Sequence, residues 1–188
     1  MKCHRAPKPP NPGKSGPAPH PPINFQMPSP NQCISAGHNF TLGPTGVIRV
    51  SNGTTKDAGG AISADTLTFE GGLLTAENIK VKSSGGVLVG SNVELKSNAT
   101  IISRNVHADG GGAVVACSNV TLRDKARIED HFGWGGDGGA IGVSFLKMHN
   151  DSSIFCEGSY ADICGGCLSG DIFLADNASV VAHNTTAK

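Results

Sequence analysis

Five Gly-Gly pairs recur along the chain at a nearly constant spacing of 26 or 27 residues. The pairs are Gly59-Gly60, Gly85-Gly86, Gly111-Gly112, Gly138-Gly139 and Gly165-Gly166. A period of this length is too short for two packed helices with their loops, but it accommodates three short strands and three turns. The repeat therefore predicts a solenoid in which each coil stacks on the next.

Apolar residues recur at fixed positions after each glycine pair. They form four columns, which are Ile62, Leu88, Val114, Ile141 and Leu168; Leu67, Val93, Val120, Leu146 and Ile172; Phe69, Leu95, Leu122, Met148 and Leu174; and Leu74, Ile101, Ile128, Ile154 and Val180. Apolar and polar residues alternate in Leu67-Thr68-Phe69, as in a strand with one buried face. The columns predict an all-β fold, a parallel β-helix of five to six coils of 26–27 residues.

Residues 1–32 differ from the rest of the chain, because they carry most of the prolines. Proline lacks the N–H donor that a strand ladder needs, so this segment is predicted to be a disordered leader. Residues 33–188 are predicted to form the solenoid and to be a fragment of a longer one. The sequence has no apolar run typical of a secretory signal or of a membrane span. Either a segment outside this sequence directs export, or the protein stays inside the cell.

Charge and cysteine content exclude some classes of function. The chain has 15 Lys and Arg against 15 Asp and Glu, so it lacks the basic footprint of a nucleic-acid-binding protein. Cys164 and Cys167 have the CxxC spacing of a redox pair, half a zinc site or a strained disulfide. No second CxxC occurs, and the two inner residues are the glycines of the repeat. We therefore interpret them as small buried side chains, and we predict no metal site.

The sequence Gly-Gly-Ala-Ile occurs at 59–62 and again at 138–141. It resembles the repeats of the chlamydial polymorphic outer membrane proteins, which pair this motif with Phe-x-x-Asn. Asn78, Asn105 and Asn184 stand where the Asn of the second motif would be. The resemblance implies a right-handed parallel β-helix of the pectin-lyase-like class. It also implies an outer-membrane, cell-surface or secreted protein whose partners are a host-cell surface, a glycan or neighbouring β-helical segments.

The recurring asparagines have a structural interpretation as well. In a turn, an asparagine side chain can donate a hydrogen bond to the equivalent asparagine one coil away, which satisfies groups that would otherwise be buried unpaired. We therefore predict that Asn78, Asn105 and Asn184, like the glycine pairs, serve the repeat rather than a ligand.

A polar column provides the best candidates for catalysis. It lies three residues beyond the fourth apolar column and consists of Glu77, Arg104, His131, Glu157 and His183. Many β-helix proteins that act on polysaccharides carry carboxylates with Arg or Lys on the outer face of adjacent coils. A slip of one residue in the third coil would place Asp130 in the column instead of His131. We favour ordinary charge pairing across strands for this column, and no catalytic residue is predicted.

Two further features have more than one interpretation. Asp57, Asp109, Asp137 and Asp162 precede glycine pairs and suit turns better than calcium binding, because their distance from the pair varies. Trp134, the only tryptophan, lies in a glycine-rich stretch that breaks the repeat. Its indole could stack on a sugar or dock a partner, and it could equally fold back over the coil as a cover.

The function expected from these features is structural. We predict a non-catalytic β-helical segment of a cell-surface or secreted protein, which acts as an adhesin-like shaft or spacer and requires no cofactor. The alternative is a fragment of a carbohydrate-active β-helix, a polysaccharide lyase or hydrolase.

Overall fold

The structure, a computed structural model, describes residues 23–26, 34–56 and 60–188. These residues form a parallel β-solenoid of about six turns, and no helix occurs among them. The predicted all-β parallel β-helix is thereby confirmed. Asp57, Gly59 and Cys33, the first residue of the predicted solenoid, lie outside the described residues.

The solenoid is built from short strands. In chain order they are β1 (Ile23–Gln26), β2 (Ile34–Ser35), β3 (Asn39–Leu42), β4 (Val47–Thr55), β5 (Ile62–Ser63), β6 (Thr66–Phe69), β7 (Leu73–Ser84), β8 (Leu88–Leu95), β9 (Thr100–Gly110), β10 (Val115–Leu122), β11 (Arg127–His131), β12 (Trp134–Gly135), β13 (Ile141–Met148), β14 (Ser153–Glu157), β15 (Tyr160–Ala161), β16 (Leu168–Leu174), β17 (Ser179–His183) and β18 (Thr186–Ala187).

The strands form two parallel sheets. The first sheet has the strand order β1-β4-β7-β9-β11-β14-β17, and the second has the order β16-β13-β10-β8-β5-β2. The short strands β12, β15 and β18 extend the first sheet, while β3 and β6 extend the second. Neighbouring strands belong to successive coils, so both sheets run along the axis of the solenoid.

The apolar columns are the core of the solenoid. In the second column, for example, Val93 pairs with Leu67 on one side and with Val120 on the other. The second, third and fourth columns have the predicted register, and their members between the end coils are buried. Complete burial of one such side chain contributes about 1.5–3 kcal/mol, so the stacked columns provide most of the driving force for folding.

The first apolar column departs from the prediction at one residue. Val115, not Val114, pairs with both Leu88 and Ile141. The third coil has an additional residue at its glycine step, where residues 110–112 are all glycine, and this shifts the strand that follows. Val114 is nevertheless fully buried, and its carbonyl oxygen accepts a hydrogen bond of 2.8 Å from the Leu88 amide.

Steric requirements explain why glycine occurs in pairs, as Gly85 and Gly86 illustrate. Gly85 has a φ of 74°, a left-handed conformation that glycine adopts without strain. A Cβ atom on Gly86 would overlap the carbonyl oxygen of Ala113 and the side chain of Val106. The first glycine therefore turns the chain, and the second lets adjacent coils approach each other.

One strand lies within the segment predicted to be a disordered leader. Strand β1, at residues 23–26, runs parallel to β4, with Ile23 opposite Ile48 and Phe25 opposite Val50. Its alternation of apolar and polar residues matches that of the coil on which it lies. The other residues of segment 1–32 lie outside the described residues.

The interpretation of the CxxC cysteines as small buried side chains is wrong for Cys164, which is exposed, whereas Cys167 is buried. This residue forms a disulfide with Cys156, which is completely buried in strand β14. The partner lies 11 positions away in sequence, so the short CxxC spacing did not reveal it. Cys164 is a free, exposed cysteine whose Sγ lies 3.2 Å from Ser169 Oγ. Burial raises the pKa of the Cys117 thiol to about 12, so this thiol is unreactive.

Candidate functional site

The polar column has the register that the sequence predicts. Glu77 pairs with Arg104, and His131 pairs with Arg104 on one side and with Glu157 on the other. His183 continues the column opposite Glu157. Because side chains alternate along a strand, these five residues lie on the outer face of the first sheet. The slip that would have placed Asp130 in this column does not occur.

Four side chains of this column form contacts in two pairs. Arg104 Nη1 lies 3.4 Å from Glu77 Oε1, and His131 Nδ1 lies 3.0 Å from Glu157 Oε2. His131 Nε2 also lies 3.7 Å from the carboxylate of Glu129. Partly exposed ion pairs of this kind contribute at most about 1 kcal/mol each. The carboxylates of Glu77 and Glu157 thus each contact a side chain of an adjacent coil, Arg104 and His131 respectively.

A column of residues with positive φ lies next to the polar column; strands β4, β7 and β9 continue through it, whereas β11, β14 and β17 end just before it. It consists of Asn52 (φ 56°), Asn78 (φ 53°), Asn105 (φ 52°), Phe132 (φ 60°), Gly158 (φ 63°) and Asn184 (φ 53°). Asn105 Nδ2 donates to Asn78 Oδ1 at 2.8 Å, and Asn78 Nδ2 donates to Asn52 Oδ1 at 3.3 Å. The first asparagines therefore form a hydrogen-bonded ladder along the axis. Asparagine tolerates this conformation better than most residues because its short side chain bonds locally.

Phe132 interrupts the asparagine ladder. Its side chain is 64% exposed, and its ring lies over Gly158 of the next coil, where a Cβ atom would meet the ring at 2.6 Å. A bulky residue with positive φ is a conformational outlier. Holding a residue other than glycine in this region costs about 1–3 kcal/mol. An exposed aromatic ring is therefore held in a strained conformation at a position where other coils carry asparagine or glycine.

Asp130 lies two residues before Phe132 and points into the solenoid. Its carboxylate is fully buried and accepts hydrogen bonds from Ser159 Oγ at 2.6 Å and from the Gly133 amide at 3.1 Å. Ser103, its neighbour in the previous coil, also lies close enough to the carboxylate to help lower the pKa of Asp130. Burial raises the pKa of Asp130 to about 6, although the hydrogen bonds oppose this shift.

The buried carboxylate also positions the chain that follows it. Its hydrogen bond to the Gly133 amide holds the backbone directly between Phe132 and Trp134. The bond from Ser159 connects the same oxygen to the next coil. Asp130 is thus the internal anchor of an exposed aromatic segment.

Trp134 belongs to strand β12 rather than to a free loop. Its ring stacks on His107 at a centroid distance of 4.5 Å and an interplanar angle of 16°, and Tyr160 meets it at 5.1 Å and 76°. The indole Nε1 donates to Asp162 Oδ2 at 3.1 Å. The ring lies between aromatic rings of the two adjacent coils, and Trp134 is 41% exposed. Its position in this stack favours the interpretation as a cover over stacking on a sugar.

The predicted turn aspartates have different surroundings. Asp162 holds the indole of Trp134, while Asp109 Oδ1 lies 3.1 Å from His107 Nε2. The Asp137 amide donates to the carbonyl oxygen of Gly111 in the turn before its glycine pair. Asp109 and Asp162 therefore bind side chains of the aromatic stack rather than only shaping turns.

These features converge on residues 130–134, which we call the aromatic segment. It combines a buried acid, a strained exposed phenylalanine and a partly exposed tryptophan within five residues. Departures from local structural rules tend to cluster at functional sites. Of these residues, sequence reasoning singled out Trp134 and missed the roles of Asp130 and Phe132. The available signal was the replacement of asparagine by phenylalanine at one position of the ladder.

Comparisons with protein-family models, with curated proteins and with solved structures give no match. The resemblance to the polymorphic outer membrane protein repeats therefore rests on the Gly-Gly-Ala-Ile motifs and the asparagine positions alone. Within the described part of the chain, no helix is long and apolar enough to cross a membrane. By its fold, the protein belongs to the class of parallel β-solenoids, and it exposes an aromatic segment on one of its coils.

Proposed function

We propose that this protein is a non-catalytic β-solenoid segment of a cell-surface or secreted protein. In this proposal the stacked coils act as a shaft or spacer, and the aromatic segment binds a partner, with a cell-surface glycan as the first candidate. The observation that carries the proposal is the contrast between the regular ladders of the solenoid and the single segment that departs from them.

The pairing of the outer charges supports a structural role for the polar column. Glu129 Oε1 lies 2.7 Å from Arg127 Nε, in addition to the pairs that His131 forms with Glu129 and Glu157. Contacts of this kind are ordinary charge pairing within and between neighbouring strands, which suits a structural shaft and needs no substrate.

The disulfide supports a location outside the cytosol. Cys156 and Cys167 are both buried and connect strand β14 with the start of the last coil. Disulfides persist in oxidising compartments and are rare in the cytosol. A surface or secreted location is consistent with this bond.

The strain at Phe132 supports binding by the aromatic segment. A residue that only filled space at this corner would be expected to be asparagine or glycine, as in the other coils. Exposed aromatic side chains provide a large contact area with little loss of conformational entropy. The conformational strain is therefore explained if the exposed ring of Phe132 contacts a partner.

The decisive experiment replaces Phe132 with asparagine. The Phe132→Asn variant should have a higher melting temperature, because asparagine tolerates the left-handed conformation and can donate to Asn105. The same variant should lose at least tenfold in affinity for a glycan array or for cultured host cells. Phe173→Asn is the matched control, because Phe173 is 48% exposed and lies outside the segment. Equal binding by wild type and Phe132→Asn would refute binding by this segment.

The same preparation tests the enzymatic alternative. Wild-type protein should release neither reducing ends nor unsaturated products from a panel of acidic and neutral polysaccharides. Turnover that disappears in Glu157→Gln would overturn the proposal and establish a carbohydrate-active enzyme. Glu157 is suitable for this test because its side chain is 44% exposed, so the substitution should change stability little.

A further inference from the structure

The carboxyl group of Asp130 lies where it can control the shape of the aromatic segment. We propose that ionised Asp130 holds this segment in its binding conformation and that protonation of Asp130 releases it, so that the partner is bound in neutral solution and released in mildly acidic solution. The binding step rests on the proposed function, whereas the change of conformation is a property of the chain alone. Asp130 is in this sense a positioning residue.

Two hydrogen bonds hold the peptide units on either side of Phe132. The Phe132 amide donates to the carbonyl oxygen of Glu157 at 2.8 Å, and the Gly133 amide donates to Asp130 Oδ2 at 3.1 Å. The acceptor of the first bond is a backbone group, which does not titrate. The acceptor of the second is a carboxylate, whose charge depends on pH. The left-handed conformation of Phe132 is therefore held in part by a titratable group.

The Gly133 amide depends on this side chain because the strand is interrupted here. Strand β9 continues through the corresponding positions, whereas β11 ends at His131 and β12 begins at Trp134. Phe132 and Gly133 thus lie between two strands. The Asp130 carboxylate accepts the bond from the Gly133 amide, and it lies so close that a Cβ atom at Gly133 would overlap it. The buried acid and the exposed segment are therefore in direct contact.

One oxygen atom of Asp130 accepts both of its short hydrogen bonds. Asp130 Oδ2 accepts from the Gly133 amide and from Ser159 Oγ, the latter at 2.6 Å. Hydrogen bonds to an ionised acceptor are roughly twice as strong as those between neutral groups. Protonation removes this assistance, and the neutral acid must in addition donate its own proton. When Oδ2 carries that proton toward Ser159, it becomes a hydroxyl oxygen and a weaker acceptor for Gly133.

The surroundings of Asp130 make it the group that titrates inside the solenoid. Burial raises the pKa of Asp130 to about 6. Three hydrogen bonds and one charge act in the opposite direction, from Ser159, Ser103, the Gly133 amide and His131. Cys156 faces Asp130 from β14 but is held in a disulfide, so it does not titrate. No other Asp, Glu, Lys, Arg or His side chain is buried in the described part of the chain.

The strain at Phe132 favours release once the hydrogen bond weakens. A phenylalanine with positive φ is a conformational outlier. Strain of this kind is comparable in size with the contribution of a hydrogen bond to a charged group. The ring is exposed, so little core packing opposes its movement away from Gly158. Loss of the charge on Asp130 therefore shifts the balance toward an ordinary backbone conformation at Phe132.

Binding measured as a function of pH tests the regulation. The probe is the array glycan or the cultured cell line that retains wild type best at about pH 7.5. If only the ionised form binds, the dissociation constant should rise about tenfold between about pH 7.5 and pH 5, because the ionised fraction falls tenfold for each pH unit below the pKa of about 6. Wild-type binding that is unchanged or tighter at pH 5 would overturn the proposal.

Asp130→Asn is the matched variant, because a neutral amide takes the place of the neutral acid. This variant should bind about tenfold more weakly than wild type at about pH 7.5, and its affinity should not change with pH. If Asp130→Asn binds as tightly as wild type at this pH, or if its affinity has the same pH dependence, the charge of Asp130 does not hold the segment and the proposal is refuted.

The only tryptophan reports the change of conformation without any partner. Trp134 directly follows Gly133, so its fluorescence in wild type should change with a midpoint near pH 6. Protonation of His107, on which the indole stacks, also affects this signal, but its contribution should remain in Asp130→Asn. The transition that the variant lacks belongs to Asp130. Over the same pH range the Gly133 amide should lose at least tenfold in protection from hydrogen exchange, whereas amides of β13 should keep theirs.

Ser159→Ala and His131→Gln keep the test decisive if Asp130→Asn does not fold. Each removes a group that lowers the pKa of Asp130, so the midpoint should move to higher pH in both variants. An unchanged midpoint in both, or no transition in wild type between about pH 7.5 and pH 4.5, would overturn the change of conformation. A transition without binding of any probe at about pH 7.5 would instead refute the proposed function, and with it the regulation of binding.

Discussion

Replacement of Asp130 by asparagine should stabilise the protein near neutral pH. The folded protein raises the pKa of Asp130 from 3.8 to about 6 because the carboxylate is buried. One pKa unit corresponds to about 1.36 kcal/mol, so a shift of roughly two units corresponds to about 3 kcal/mol. The asparagine side chain would keep an oxygen for Gly133 and Ser159 without the buried charge. We therefore expect the free energy of unfolding at about pH 7.5 to rise by up to about 3 kcal/mol.

The pH dependence has a definite sign. The raised pKa means that the folded state binds the Asp130 proton more tightly than the unfolded state does. The stabilising contribution of this group is therefore fully present below about pH 4 and is lost as the pH rises to about 6. Above that pH, the wild type carries a constant penalty. The difference between Asp130→Asn and wild type should thus appear between about pH 4 and pH 6 and should vanish in more acidic solution.

Urea unfolding at a series of pH values measures this difference, because each titration yields a free energy of unfolding. The control is Asp171→Asn, which changes an exposed carboxylate in β16 and should shift stability by less than about 0.5 kcal/mol at every pH. Parallel pH profiles for wild type and Asp130→Asn would refute the assignment of a buried, protonatable acid at this position.

Three further substitutions test other parts of the fold. Val114→Asp places an unpaired charge at a fully buried position, so cooperative unfolding near neutral pH should be lost, as circular dichroism would show. Cys156→Ser removes a disulfide that spans 11 positions and should lower stability by about 3 kcal/mol, and an equally stable wild type under reducing conditions would argue against the bond. Asn105→Ala breaks the ladder at a left-handed residue, and its melting temperature should fall, whereas Ser91→Ala on the exposed surface should leave it unchanged.

The aromatic segment combines features that usually lower stability. A buried acid with a raised pKa and a phenylalanine with positive φ lie two residues apart. Selection requires only that a protein stay above a stability threshold, so a functional site can retain residues that lower stability. The expected opposite effects of Phe132→Asn on melting temperature and on binding would be a direct sign of this relation.

The repeat period and the alternation of apolar and polar residues were sufficient to predict the solenoid. Each coil repeats the same local pattern, so three apolar columns and the polar column could be aligned without knowledge of the structure. The glycine pairs were equally informative, because a left-handed turn and a close approach of coils both require a residue without a Cβ atom. The left-handed turn recurs at Gly85, Gly111 and Gly165.

Only the tertiary structure decided the features that depend on contacts between coils. A shift of one residue turns a side chain from the outer face to the interior, so the extra residue at 110–112 moved Val115 into the column assigned to Val114. The register of β11 excluded the one-residue slip at Asp130 that the sequence left open. The disulfide of Cys167 and the ring of Phe132 over Gly158 join positions in different coils. The repeat period determines that coils stack, but the identity of the side chains that meet depends on their exact register and packing.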